Sequence, residues 1–176
     1  MAQLIMRWTN DGAAARAPVM PEGMTLATLP ELEDGVYHWL DIVRFMEQEE
    51  QAIGDRAFYD KVMTARPGYD DKMCYFVLLE GAPVATITVI CDYTTKAGYI
   101  HMVACKPACR GKGIGHLLNS IAVYALKKEG METARLTTDD WRLAAIKTYL
   151  KAGFVPDTES KPDFKERWEK IMKAFA

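Results

Sequence analysis

Six residues, Arg110-Gly111-Lys112-Gly113-Ile114-Gly115, have the form of a loop that grips a pyrophosphate with main-chain amides. Glycine at 111, 113 and 115 lets the chain curl so that successive N–H groups point into one concavity. The helix that opens at Ile114 adds roughly half a positive charge at that end. Two common phosphate loops do not fit. A nucleoside-triphosphate loop needs Gly-Lys-Ser/Thr, and here Gly111-Lys112 is followed by Gly113. A dinucleotide fingerprint needs its third glycine three residues after the second, where this chain has His116, and the glycine at 115 has the wrong spacing.

A second segment, Arg142 to Phe154, lies one predicted helix and one predicted strand further on. In it Ala145-Ile146 leads to Tyr149 and then, after three residues, to Gly153-Phe154. The glycine loop itself follows Val103-Ala104-Cys105-Lys106-Pro107. The pattern Arg/Gln-x-x-Gly-x-Gly/Ala behind Val-Ala-x-x-Pro resembles the coenzyme A loop of the GNAT-type (general control non-repressible-related) N-acetyltransferases, and the second segment resembles that family's other signature. Both stand in the family's order, and the resemblance runs from about Met73 to Phe154. It departs at Arg142, where the family has Asn; Asp139 or Asp140 can cap the following helix instead.

The resemblance implies an α/β (α+β) fold of GNAT type: a mixed, mostly antiparallel sheet splayed at its fourth and fifth strands, with helices on both faces. It implies acetyl-CoA as cosubstrate, no metal, and a small-molecule or peptide amine as acceptor. Arg110, Gly111, Lys112, Gly113, Ile114 and Gly115 would hold the pyrophosphate. Val103, Ala104 and Cys105 would align pantetheine through their backbone, and Ala145 would add a contact from the second signature.

Acetyl transfer sets its own demands. A primary amine with a pKa of about 10.4 is almost wholly protonated near neutrality, and exposing its lone pair costs about 4.6 kcal/mol. A donor for the developing oxyanion, an acid for the departing thiolate and close placement of the nitrogen are needed as well. Tyr149 matches the family tyrosine that protonates the thiolate; the alternative is a ring buried beside Phe154. Strand alternation places Tyr99, His101 and Val103 on one face, and the resemblance implies a His or Glu base on this strand, acting directly or through water, so His101 is the candidate base. The alternative for His101 is a histidine that shapes the acceptor pocket while water carries the proton away, and Glu80 is a weaker base candidate. A non-catalytic acyl-CoA-binding module would keep the glycine loop and lose the acid and base.

The elements that must position these residues follow from periodicity. A chain of 176 residues with 49% apolar content suits one α/β domain. Residues 1–22 read as an N-terminal extension and 23–176 as a single domain. Met24 to Thr28 is the first expected strand, followed by helices with apolar faces over Leu32 to Met46 and Asp55 to Ala65. Strands are expected at Tyr75 to Leu79, Val84 to Cys91, Tyr99 to Cys105, Thr133 to Thr137 and near Val155. Ile114, Leu117, Leu118 and Ile121 share one face of the helix behind the glycine loop. The final helix carries Phe164, Trp168 and Ile171 at helical spacing, either packed on its own domain or forming a homodimer contact.

Composition narrows the partners. A net charge of -2, from 22 basic and 24 acidic residues, supplies no bulk field for nucleic acid or an anionic membrane. The apolar run from Val84 to Cys91 is far short of a spanning helix. Four cysteines in or beside expected strands, with no leader, suggest reduced thiols and a cytoplasmic location.

Overall fold

The computed structural model describes residues 2–176. Seven strands form one sheet: β1 (Leu4–Thr9), β2 (Met24–Thr28), β3 (Cys74–Leu79), β4 (Ala82–Asp92), β5 (Ala97–Cys105), β6 (Thr133–Thr138) and β7 (Val155–Pro156). Their order across the sheet is β2-β3-β4-β5-β6-β1-β7. Every neighbouring pair is antiparallel except β5 and β6. β4 is buried from Val84 through Cys91, so its near-continuous apolar sequence reflects cover on both faces.

One cover is α1 (Gly35–Val43) with α2 (Arg56–Tyr59), continued by a π-helical turn over Asp60–Thr64. Trp39, Ile42 and Met63, fully buried, close this side against Phe76 and Ala104. The regular helix expected over Asp55 to Ala65 is therefore one short α segment and a wider turn. On the other side lie α3 (Ile114–Lys128), α4 (Leu143–Lys151) and α5 (Phe164–Lys173). The face of α3 read from its periodicity is the buried one, with Ile114, Leu117, Leu118 and Ile121 in the larger core. The apolar face of α5 packs on its own domain: Phe164 and Trp168 join the core that holds Leu4, Met6 and Trp8. Arg167 fastens that helix by donating to the Ala2 carbonyl at 2.9 Å and to Asp140.

Residues 4–9, expected within an extension spanning 1–22, are instead a strand inside the sheet, between β6 and β7. Met1 lies outside the described residues. Leu4, Met6 and Trp8 face the core at 0, 0 and 5% exposure, while Arg7 and Thr9 are exposed. That alternation is the signal of a half-buried strand. It is set apart from the next strand by a long irregular stretch, which is why the segment reads as an appendage.

The pairing of β5 with β6 covers only Ala97–Ile100 against Thr133–Leu136. Beyond it β5 continues along β4 to Cys105, and β6 continues along β1 to Thr138, so the sheet splays where the sequence placed its fourth and fifth expected strands. If β1 is integral to the core, Trp8→Ala should cost about 3–5 kcal/mol of unfolding free energy in a urea titration, the range for truncating a buried aromatic. A loss well below 1 kcal/mol would return residues 1–22 to the status of an appendage.

Candidate active site

The splay begins at a break in β5. His101 pairs with Thr88 and Ala104 with Thr86, so two residues, Met102 and Val103, stand opposite Ile87 alone. Met102 takes φ 54, a left-handed conformation rare for a long side chain, and this is a β-bulge. It shifts the alternation by one. His101 and Tyr99 line the cavity under α1 and α2, Met102 and Ala104 join the core on that side, and Val103 and Cys105 pack into the core under α3. Alternation had put Val103 on the face of His101; the inserted residue moves its packing to the other layer.

The glycine loop follows a short 3-10 turn, Pro107–Cys109. Gly111 and Gly113 take φ 76 and 77, and a Cβ at either would meet nothing within 4 Å, so the concavity is open. The Arg110 amide donates to the Pro107 carbonyl at 3.1 Å, and the next amide to find a main-chain acceptor is that of Leu117, which donates to Gly113 at 3.1 Å; the amides at the start of α3 are the unpaired donors of a helix N-terminus. A pyrophosphate fits this cradle. Gly115 has a different task. It is helical, and a Cβ there would lie 3.2 Å from the Thr148 methyl, so it lets α3 approach α4. Ile114 is a core residue at 2% exposure, and Lys112 is exposed. The Arg110 side chain donates to the carbonyls of Phe45 (2.8 Å) and Cys105 (3.3 Å).

On the opposite bank, α4 carries half-buried Ala145 and buried Tyr149. The Tyr149 ring meets Phe154 edge to face at 6.3 Å and lines the same cavity as His101. Burial pushes its hydroxyl up to about 12, against the opposing charge of Arg142, so it keeps its proton near neutrality. Arg142, standing where the family has Asn, donates to Asp139 at 2.8 Å, to the Met46 carbonyl at 2.5 Å and to Glu47 at 3.1 Å.

The cavity between these banks measures about 590 Å³. The structure thus brings His101, Val103 and Tyr149 to one space, with the glycine loop at the end of the same splay. It adds wall residues that no motif marked, Arg44, Glu47 and Arg66, because they come from irregular segments folded over the sheet. Among the described residues no cluster of three or more His, Cys, Asp or Glu is placed to hold a metal ion. No helix is long and apolar enough to cross a membrane.

His101 is 6% exposed, with Nε2 3.1 Å from the Val62 carbonyl. A carbonyl only accepts, so Nε2 carries the hydrogen and Nδ1 the lone pair. Burial, helped by the charge of Arg66, lowers its pKa to about 4, well below the value near 6.5 that made it a natural base. The unfolded chain then binds the proton first on acidification, so stability falls as pH drops from about 6.5 toward 4. Wild type should lose about 3 kcal/mol over that window that His101→Gln does not lose, as read from urea midpoints at successive pH values. Parallel pH profiles of the two proteins would show an unperturbed imidazole.

A sequence profile of the acetyltransferase (GNAT) family matches residues 36–154. Mycothiol acetyltransferase of Streptomyces griseus is 28% identical over 78% of this chain and 45% of its own, so the chain spans about half the length of that curated relative. Among solved structures, a GCN5-related N-acetyltransferase from Sphaerobacter thermophilus superposes with a TM-score of 0.67 at 20% identity, covering 88% of this chain and 48% of that one. The NatC complex bound to Gag peptide and CoA gives 0.61 at 19% identity, covering 80% and 92%. The matched residues take in the splay, the glycine loop and Tyr149, and the chain belongs to the GNAT acetyltransferase family.

Proposed function

We propose that this chain transfers an acetyl group from acetyl-CoA to a primary amine. The observation that carries the reading is the splay between β5 and β6, with an open glycine cradle at one end and a protonated tyrosine inside the cavity it feeds. The amides that open α3, with Gly111 and Gly113 in left-handed conformations, would hold the pyrophosphate. Val103 to Cys105, free of β6 on one side, would offer backbone groups to the pantetheine arm and an N–H to the developing oxyanion. Bound there, acetyl-CoA supplies the activated thioester.

Tyr149 holds a proton at Oη until a thiolate needs it, which its raised pKa suits. His101 serves better as a wall than as a base. Parking the proton of an amine of pKa about 10.4 on a group near 4 costs about 9 kcal/mol, against about 5 kcal/mol for an unperturbed imidazole. Release through water to bulk solvent, at a cost of about 4.6 kcal/mol for amine deprotonation near neutrality, is the cheaper route, and His101 Nε2–H fixes the Val62 turn of the acceptor wall. A cavity of about 590 Å³ suits a small-molecule amine or the end of a peptide, the two kinds of acceptor suggested by the relative named for mycothiol and the neighbour bound to Gag peptide.

Gly113→Val should raise the calorimetric dissociation constant for coenzyme A about tenfold or more, close to 1.4 kcal/mol, because a β-branched residue is strained at φ 77 and the cradle backbone must shift to relieve it. Unchanged affinity would remove coenzyme A from this loop. Tyr149→Phe should lower kcat by ~10² while coenzyme affinity holds, with no alkaline limb attributable to Tyr149 in wild type below about pH 11. Wild-type turnover in that variant would leave Tyr149 a packing residue, and the acyl-CoA-binding reading would gain.

A further inference from the structure

The charges at the acceptor cavity are unevenly matched. Arg142 is met by Asp139 at 2.8 Å and Glu47 at 3.1 Å, and Arg44 by Glu50 and by Asp41 at 4.0 Å. Arg66 lines the same cavity and has no carboxylate partner among the described residues. Its Nε donates to the Val62 carbonyl at 3.2 Å, and its guanidinium stands 5.5 Å from the centre of the Tyr99 ring. Arg135, opposite Tyr99 in the β5–β6 register, stands 5.2 Å from the same ring and is likewise without a carboxylate. Arg7, its neighbour on β1, is neutralised by Asp157 at 2.7 Å.

Two uncompensated cations are therefore gathered on one aromatic ring, in a chain whose net charge is -2. Arg66 and Arg135 are both exposed, and guanidinium groups donate and never accept, so the ligand group that suits this pair best is an acceptor of negative charge. Nearby groups do not supply it. His101 is neutral, and the Tyr99 hydroxyl lies 3.4 Å from Thr137 Oγ1. Thr138 lines the cavity with a hydroxyl that lacks any partner among the described residues.

We propose that the amine acceptor also carries an anionic group, a carboxylate or a phosphate, seated by Arg66 and Arg135 beside Tyr99 while its amine points into the splay toward Tyr149. This rests on the acetyl-transfer reading. Arg66 and Arg135 then determine specificity: they bind the acceptor at a distance from the reacting nitrogen, fixing its direction of entry. Each bidentate guanidinium contact rewards a charged partner that presents two oxygens to the fork, as a carboxylate or a phosphate does, over a neutral amide or hydroxyl of similar size.

The test is thiol release from acetyl-CoA with acceptors matched in pairs, glycylglycine against glycylglycinamide for the carboxylate arm and glucosamine 6-phosphate against glucosamine for the phosphate arm. The anionic member of at least one pair should show a kcat/KM about tenfold higher or more, and the arm that responds identifies the anion. Arg66→Gln combined with Arg135→Gln should bring that ratio close to one, and Arg66→Glu should invert it, with calorimetric coenzyme A binding confirming that each variant is folded. Equal rates within both pairs, or a preference that survives the double substitution, would overturn the proposal. Silence with all four amines while coenzyme A still binds would overturn the acetyl-transfer reading and the anion seat together.

Discussion

Parallel pairing between β5 and β6 lasts for four residues and then stops, and the site depends on that interruption. A parallel ladder that ran on would satisfy every backbone group of Val103 to Cys105 and leave no gap in the sheet. Two local features end it. The bulge at Met102 twists β5 away, and Pro107 has no N–H with which to resume a ladder. Left-handed backbone at a long side chain costs of order 1–3 kcal/mol, which the buried strands around it, β4 above all, over-determine. The strain stands at the point where the sheet opens.

The opening has two banks, and the same wall is fastened to both. From the β5 bank Arg110 donates to the Phe45 carbonyl; from the β6 bank Arg142 donates to the next carbonyl, that of Met46, and to Glu47. Hydrogen bonds from a guanidinium are stronger than neutral ones, and these two arginines hold the segment that follows α1 across the splay. Arg142 departs from the family's Asn at this position, and the longer side chain reaches a wall that an amide side chain would not. The residue that breaks the family pattern thereby ties the β6 bank to the wall that follows α1.

Burial governs the chemistry of the cavity in one consistent direction. Desolvation disfavours a charged form whatever its sign, so it raises Tyr149 and lowers His101. Both are neutral across the physiological range, one as a proton donor and the other as a fixed N–H. The charges that remain are the guanidinium groups of Arg44, Arg66 and Arg142, which keep their protons at any working pH, and the Glu47 carboxylate paired with Arg142. On the proposed reading, transfer to an amine would then rely on water for proton removal and on the protein for placement and for the thiolate's proton.

The chain's local order was legible in its sequence wherever the cause is local. Left-handed glycine at 111 and 113, the amphipathic face of α3, the apolar run of β4 and the paired signatures each follow from neighbours a few residues away. Tertiary structure alone decided the rest. One residue opposed to nothing at Met102 moved Val103 into another layer, against a strict alternation that sequence periodicity assumes. Gly115 is glycine because Thr148 stands 3.2 Å from where a Cβ would be, a contact between two helices that no spacing encodes. β1 shows its alternation openly, yet its place between β6 and β7 depends on pairing with residues more than a hundred positions away. The cations on Tyr99 come from a loop and from the next strand, and only the folded register sets them on one ring. Local propensity can select a conformation, but which side chains share a cavity is decided by long-range packing.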